Sequence, residues 1–153
     1  AVPGATVCAY VPTRLEPGTS DLLVALREVA GRVLLPVTGE EGPMKWAEYT
    51  GDADLVPAAH GLREPPGPAF EVDEVQTAHT IFVPALAVDR RGVRLGRGAG
   101  YYDRSLVLAR PGARLITIVR DSEFVDELPE EPHDVRIGWA VTPSAGLRQL
   151  SGE

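Results

Sequence analysis

The chain has little cysteine, little lysine and no long hydrophobic run. Its single cysteine, Cys8, excludes a disulfide framework within the chain and a metal site built on cysteines. Cys8 lies in the apolar run TVCAYV, so we expect a small buried hydrophobic residue rather than a reactive thiol. No apolar run approaches the roughly 20 residues of a membrane span, and no secretory signal opens the sequence. These absences predict a cytoplasmic enzyme or binding protein.

Positive charge is outweighed by negative charge: 15 lysines and arginines stand against 22 aspartates and glutamates, which gives a net charge of −7 over 153 residues. That balance argues against a general nucleic-acid binder, which needs a basic surface to contact phosphate backbones. With 44% hydrophobic and 24% charged residues, the composition is that of one globular domain. Lys45 is the only lysine, and five of the arginines fall between Arg90 and Arg104. An acidic chain with one concentrated basic segment indicates a site for a small anion.

Short apolar segments separated by glycine and proline predict an α/β fold. Helix Asp21–Ala30 lies between strands Thr6–Val11 and Val33–Val37, and a crossover helix of that length favours parallel pairing. The remaining predicted elements are strands at Lys45–Tyr49, Thr80–Val83, Arg114–Val119 and Ile137–Thr142, short helices at Glu71–Thr77 and Tyr101–Ala109, a loop at Val56–Gly67, and a turn or short helix at Phe124–Leu128. We expect one Rossmann-like domain over residues 1–153, a three-layer α/β/α sandwich around a mostly parallel sheet.

The segment DRRGVRLGRGAGYYD, residues 89–103, follows the predicted central strand, where ligands bind in such sheets. Its glycines allow consecutive backbone N–H groups to turn towards an anion, and they recur at Gly92, Gly96, Gly98 and Gly100. Arg94 and Arg97 can add bidentate contacts to phosphate oxygens. The last glycine precedes a predicted helix, whose N-terminus also favours an anion. The segment therefore predicts a phosphate-binding loop.

Other interpretations of this segment stay open on composition alone. It could be a solvated hairpin loop, and its spacing matches neither GxGxxG nor GxxxxGK[ST]. Tyr101 and Tyr102 offer aromatic faces and hydroxyls, although successive helical residues point about 100° apart, so one of them should face the core. Asp103 would lie in the first helical turn, where a carboxylate interacts with the helix dipole or helps to hold Mg²⁺ beside phosphates.

Taken as a whole, VPALAVDRRGVRLGRGAGYYDRSL closely resembles the signature of the 5-formyltetrahydrofolate cyclo-ligase family, D-x-x-G-x-R-L-G-x-G-x-G-Y-Y-D after a strand and turn. Two weaker similarities extend the resemblance over almost the whole chain. YVPTRLEPGT resembles the family's first strand followed by E-x-x-T, and EEPHDVRIGWAVTP resembles its P-x-x-x-H-D segment and last strand. The resemblance implies a ligase that uses MgATP to convert 5-formyltetrahydrofolate to 5,10-methenyltetrahydrofolate, with release of ADP and phosphate.

The resemblance also implies roles for individual residues. The ATP phosphates would be bound by Arg94, Leu95, Gly96, Arg97, Gly98, Ala99, Gly100, Tyr101 and Tyr102. Asp103 and Asp134 would position Mg²⁺, while Val11 and Glu16 would face the folate. Tyr101 would also lie beside the formyl group, and we assign catalytic roles to Tyr101 and Arg97. The formyl oxygen would attack the γ-phosphorus, a step that needs in-line placement and charge stabilisation rather than a side-chain nucleophile.

Departures from the family pattern leave an alternative open. The family has a helix before its first strand with a lysine and an arginine that reach ATP, and the sequence shows no such helix before Thr6. We expect a truncated chain rather than an incomplete ATP site. Ala99 replaces a lysine or glycine, and Ile137-Gly138 replaces a Val-Asp-like pair. The alternative is a catalytically weak or silent folate-binding relative of the same fold. We expect a monomer that binds ATP and 5-formyltetrahydrofolate, and neither nucleic acid nor a membrane.

Overall fold

The structure, a computed structural model, describes residues 5–11, 21–37, 43–57, 63–66, 68–96, 101–132 and 134–150. Its strands and helices, in chain order, are β1 Thr6–Cys8, α1 Asp21–Val29, β2 Arg32–Val37, β3 Lys45–Glu48, β4 Val56–Pro57, β5 Arg63–Glu64, β6 Ala78–Phe82, β7 Ala87–Asp89, β8 Arg94–Leu95, α2 Tyr101–Leu106, β9 Arg114–Ile118, β10 Phe124–Val125, β11 Trp139–Thr142 and β12 Gly146–Gln149. Short 3₁₀ helices span Asp52–Asp54, Val72–Thr77 and Asp121–Glu123.

Seven strands form the central sheet, in the order β12-β11-β9-β6-β1-β2-β3. The five inner strands are parallel to one another, whereas the outer strands β3 and β12 are antiparallel to their neighbours. This confirms the predicted mostly parallel sheet, including the parallel pairing of β1 and β2 across α1. The inner strands therefore all end along one side of the sheet, which we call its carboxyl edge.

Both faces of the sheet are covered by packed side chains. Successive residues of a strand point to opposite faces, so neighbouring residues of one strand belong to different clusters. Val33 and Leu35 of β2 pack in one cluster with Leu23 of α1. Leu34, between them, packs on the other face in a cluster with Leu106 of α2. The fold is thus the predicted α/β sandwich, with α1 on one face of the sheet and α2 on the other. None of the described helices is long and apolar enough to cross a membrane.

A second, smaller sheet lies beside the first and corrects two expectations. β7 and β8 form an antiparallel hairpin, in which β7 leads into the predicted phosphate-binding loop and β8 lies within it. β10 adds to it parallel to β7, where we expected a turn or short helix over Phe124–Leu128. The small sheet is stabilised by an apolar cluster in which Val88 and Val119 are buried and Phe124 is partly buried. Strands of two or three residues are too short for an alternating pattern to reveal them.

Candidate active site at the carboxyl edge

The β7–β8 hairpin stands beyond the carboxyl edge because of how the chain leaves β6. Val83 continues the strand direction by donating its N–H to Ile116 O at 2.8 Å, and its own carbonyl accepts the Thr117 hydroxyl at 2.8 Å. After Pro84 the chain turns into the hairpin, closed at its base by a 2.8 Å bond from Leu86 N to Leu95 O. The predicted loop is therefore anchored at the edge where parallel sheets bind ligands.

Arg94, the first residue of β8, points back towards that exit. Its Nη1 donates to Pro84 O at 2.8 Å, and its Nη2 lies 3.6 Å from Asp103 Oδ1. Its guanidinium carbon stands 5.7 Å from the centre of the Tyr102 ring. The side chain is only 7% exposed, yet its Nε has no hydrogen-bond partner among the described residues. A buried donor without a partner is costly, so Arg94 is a cation whose hydrogen bonding a bound anion would complete.

Gly96 lies directly against this guanidinium. A Cβ on Gly96 would stand 2.6 Å from Arg94 Nη1 and 3.2 Å from Arg94 Cζ. Any larger residue would therefore push Arg94 away from Pro84 O and Asp103. Glycine is required here because the Arg94 guanidinium approaches the Gly96 backbone closely. This reason adds to the backbone freedom that glycine provides in an anion-binding loop.

Asp103 lies in α2 and is only loosely engaged. Its Oδ1 accepts a 3.4 Å hydrogen bond from Val135 N and faces Arg94 Nη2 at 3.6 Å. Both distances lie beyond the usual hydrogen-bond range, and the side chain remains 19% exposed. The carboxylate is therefore held at the edge of the site while keeping capacity to bind another group.

Asp134 lies on a segment that contacts α2. It is half-buried, and its Oδ2 accepts the Glu131 N–H at 2.9 Å. The residue after it, Val135, donates to Asp103, so the two aspartates are carried by segments in direct contact. Among the described residues, no three Asp, Glu, His or Cys side chains group closely enough to hold a metal ion. Two carboxylates would need further oxygen ligands from water or a bound nucleotide, which is how Mg²⁺ is usually held.

The other predicted site residues fall into two groups. Those on described segments are near the carboxyl edge: Val11 follows β1 and packs on the α1 face, Leu95 is exposed, and Tyr102 packs against the core on the α2 face. Tyr102 is thus the core-facing tyrosine that the helical spacing predicted. Outside the described part of the chain lie Glu16, Arg97, Gly98, Ala99 and Gly100, together with the side chain of Tyr101.

Asp89 is important to this site, although the sequence marks it only as the first residue of the loop. It is fully buried, and five hydrogen bonds reach its carboxylate. The donors are Arg91 N, Nε and Nη2, Val93 N, and Leu128 N. Burial opposes ionisation, but these bonds outweigh it and hold the pKa of Asp89 below its ordinary value. The local spacing D-x-x-G is typical of a turn in which an aspartate accepts hydrogen bonds from nearby backbone N–H groups, and this spacing is the sequence signal that points to its role.

Gly92 joins the hairpin turn to the chain that follows Asp134. It adopts a φ of +92°, and a Cβ there would stand 2.1 Å from Ile137 O. Its own carbonyl accepts the Ile137 N–H at 2.8 Å. Both the turn and the contact therefore require glycine at this position.

Comparison with known proteins gives a consistent result along the chain. A model of the 5-formyltetrahydrofolate cyclo-ligase family matches residues 3–143, a stretch that contains the whole loop and both aspartates of the site. The chain is 49% identical over 154 residues to the 5-formyltetrahydrofolate cyclo-ligase of Mycolicibacterium smegmatis, covering 97% of this chain and 79% of that protein. The Escherichia coli K12 protein of the same name is 29% identical over 142 residues, covering 91% and 78%.

A solved structure supports the same relationship. The NMR structure of Aquifex aeolicus 5,10-methenyltetrahydrofolate synthetase superposes with a TM-score of 0.78 at 25% sequence identity. The superposition covers 96% of this chain and 72% of that chain. The similarity in three dimensions therefore extends over almost the whole of this chain, as the similarity in sequence does.

Proposed function

The chain belongs to the 5-formyltetrahydrofolate cyclo-ligase family, and we propose that it catalyses the MgATP-dependent conversion of 5-formyltetrahydrofolate to 5,10-methenyltetrahydrofolate, with release of ADP and phosphate. The observation that carries this proposal is the placement of Arg94 beside Asp103 beyond the carboxyl edge. A permanently charged guanidinium suits phosphate oxygens and a carboxylate suits Mg²⁺, so the two groups together suit a magnesium–nucleotide complex.

Three features around Arg94 fit a triphosphate. The guanidinium is largely shielded from water, so its charge is weakly screened. Its Nε has no partner among the described residues, and Gly96, which has no Cβ, lets the guanidinium lie directly against the backbone of the loop. We propose that residues 94–102 bind the phosphates through backbone N–H groups and through Arg94 and Arg97. The arginines would stabilise the charge that develops on the transferring phosphoryl group, without a side-chain nucleophile.

The metal and the folate would be bound by different residues. Asp103 and Asp134 would hold Mg²⁺ together with water and phosphate oxygens, and the bound metal would neutralise charge on those oxygens. Val11 and Glu16, which follow β1, would contact the folate. Tyr101, at the start of α2, would orient the formyl group towards the phosphates, because the reaction depends on in-line placement. We propose that the protein works as a cytoplasmic monomer on these small molecules alone.

The direct test is an assay of the purified protein with 5-formyltetrahydrofolate, ATP and Mg²⁺. We expect the absorbance of 5,10-methenyltetrahydrofolate to appear, with one ADP formed for each product molecule. Omitting ATP, or chelating Mg²⁺ with EDTA, should abolish the signal. If the protein instead bound 5-formyltetrahydrofolate tightly and hydrolysed no ATP, it would be the catalytically silent relative that the sequence left open.

A further inference from the structure

The segment that carries Asp134 is irregular, and both of its ends are attached to the β7–β8 turn. We call residues 128–137 the carboxylate loop; none of its described residues belongs to a helix or strand. At its first end, Leu128 N donates to Asp89 Oδ2 at 2.9 Å and Leu128 O accepts from Arg91 Nη2 at 2.7 Å. At its last end, Ile137 N donates to Gly92 O at 2.8 Å. All three of these bonds are made by residues within the stretch 89–92 of the turn.

The anchor at Leu128 is a closed ring of hydrogen bonds. Arg91 Nη2 donates to Asp89 Oδ2 at 2.8 Å as well as to Leu128 O, so both backbone groups of Leu128 are bound by one ion pair. Asp89 is fully shielded from water, and the Arg91 side chain is 25% exposed. Hydrogen bonds to charged groups are stronger than neutral ones, and burial weakens the competition from water. This end of the carboxylate loop is therefore firmly held.

The middle of the carboxylate loop has weaker supports of its own. Glu130 and Arg136 form a two-bond ion pair across the loop at 2.8 Å, but both side chains are substantially exposed, at 26% and 39%. Exposed pairs contribute little to stability. Asp134 and Glu131 exchange hydrogen bonds with each other. These contacts shape the loop locally. Towards α2 the loop makes the long 3.4 Å bond from Val135 N to Asp103 Oδ1 and packs the partly buried Val135 against the core, so its position also depends on its attached ends.

We propose that Asp89 and Arg91 are positioning residues, which fix Leu128 and thereby place Asp134 and Val135 beside Asp103. This inference rests on the proposed function, in which Asp103 and Asp134 hold Mg²⁺ together. Without the anchor, the carboxylate loop moves away from α2 and the two carboxylates no longer serve one metal ion. The contacts of Arg94 with phosphate oxygens do not depend on the anchor, so nucleotide binding in the absence of metal is kept.

The test compares Arg91→Gln with a matched variant, Arg32→Gln. Arg32 has the same 25% side-chain exposure and an ion pair with Glu74, and it also bonds Thr6 and Thr77. It lies where β2 begins, at the opposite edge of the sheet from the site. Arg91→Lys, which keeps the charge without the planar fork of donors, is measured beside them as the conservative replacement.

Two measurements separate positioning from general destabilisation. The first is hydrogen exchange of the backbone amides of residues 129–136 without ligand, which we expect to become roughly 10-fold faster in Arg91→Gln and to stay unchanged in Arg32→Gln. The second is calorimetric ATP binding in Mg²⁺ and in EDTA. The ratio of the two affinities should fall about 5-fold or more in Arg91→Gln, less in Arg91→Lys, and not in Arg32→Gln.

The outcomes distinguish this proposal from the proposed function. If the wild type binds ATP equally in Mg²⁺ and EDTA, the metal site is wrong and the positioning proposal fails with it. If the wild type shows a Mg²⁺ effect that Arg91→Gln retains in full, only the positioning proposal is overturned. It is overturned equally if Arg32→Gln accelerates exchange in residues 129–136 as much as Arg91→Gln does.

Discussion

Two pairs of an aspartate and an arginine stand on the loop and differ in how completely they are bonded. In the first pair, Asp89 is buried and accepts five hydrogen bonds, three of them from Arg91. In the second, Arg94 and Asp103 approach only to 3.6 Å, and Arg94 Nε has no partner among the described residues. Within the part of the chain that the structure describes, the hydrogen bonding of the first pair is complete and that of the second is not.

The difference separates structural from functional charge within one motif. A complete buried network stabilises one backbone arrangement, and a ligand has nothing to add to it. An incomplete pair at the mouth of a parallel sheet leaves donors and acceptors for a ligand, at a cost in stability that ligand binding removes. Mutations in the first pair should therefore act mainly on stability, and on binding only through the position of the carboxylate loop, whereas mutations in the second pair should act directly on binding and turnover.

The largest effect is expected from Asp89→Asn. The amide nitrogen would replace one carboxylate oxygen and face the N–H donors that this oxygen binds, so these donors would lose their acceptor. We expect the free energy of unfolding to fall by about 3–5 kcal/mol, as for other broken buried pairs. Urea denaturation measures it. A loss smaller than that of an exposed control, Glu130→Gln, would contradict the assignment of Asp89 as a complete structural pair.

The pH dependence of stability sharpens this result. Since the folded-state pKa of Asp89 is lowered, the carboxylate contributes stability that is present above its unfolded pKa of about 3.9 and is lost as the pH falls through the folded value. The difference in stability between wild type and Asp89→Asn should therefore be full at pH 7 and shrink below about pH 4. A difference that stayed constant down to pH 2 would show that ionisation is not its source.

Arg94→Gln should act on function instead. Removing a preorganised cation that faces a phosphoryl group typically lowers turnover roughly 100- to 1,000-fold. Because the cost of the buried Nε offsets the loss of the bond to Pro84 O, unfolding in urea should change little. Steady-state kinetics with ATP varied measures the loss. Activity within twofold of wild type would show that the Arg94 guanidinium does not contact the nucleotide.

The parallel sheet could be predicted from the sequence, but the second sheet could not. Apolar runs such as Val33–Val37 are long enough to indicate strands, and the structure places β2 at Arg32–Val37. β8 has two residues, Arg94 and Leu95, and exists because backbone pairing with β7 forms it rather than any side-chain pattern. The strand β12 at Gly146–Gln149 was missed because its residues are all exposed, so no buried face marks it.

The candidate site follows from the sequence only in part, for the same kind of reason. Local spacing groups the glycines, the arginines and Asp103 in one candidate site, and Asp134 joins it only through the family resemblance. The burial of Asp89 was not recognised, because its partner Leu128 lies 39 positions away and contributes a backbone group, which carries no residue-specific signal. Backbone contacts between distant loops are set by the folded chain as a whole.

Asp103→Asn should have the next largest effect and should act through the metal. The variant keeps the shape of the side chain and its bond from Val135, but it removes the charge that would attract Mg²⁺ in the proposed site. We expect turnover to fall roughly 100-fold at low Mg²⁺ and to recover partly as Mg²⁺ is raised. A Mg²⁺ titration of activity measures this. An unchanged Mg²⁺ requirement would remove Asp103 from the metal site.

Gly96→Ala gives the smallest effect and tests the geometry around Arg94. The added methyl group would meet Arg94 Nη1 at 2.6 Å, so the guanidinium must shift. We expect the KM for ATP to rise about 10-fold, equivalent to roughly one lost hydrogen bond to a charged group. Gly138→Ala is the matched control, because its methyl group would meet only Leu115 O, at 3.9 Å. Equal KM values for the two variants would mean that Gly96 does not control Arg94.

The contrast between the two pairs is tested most directly by thermal unfolding of wild type, Asp89→Asn and Arg94→Gln, each with and without MgATP. A ligand that binds only the folded state raises the melting temperature, and the rise grows with the logarithm of the ligand concentration divided by its Kd. We predict that Arg94→Gln melts as the wild type does without ligand but loses the rise with MgATP, whereas Asp89→Asn melts at a much lower temperature. The account is contradicted if Arg94→Gln melts as low as Asp89→Asn and still shows the full rise with MgATP.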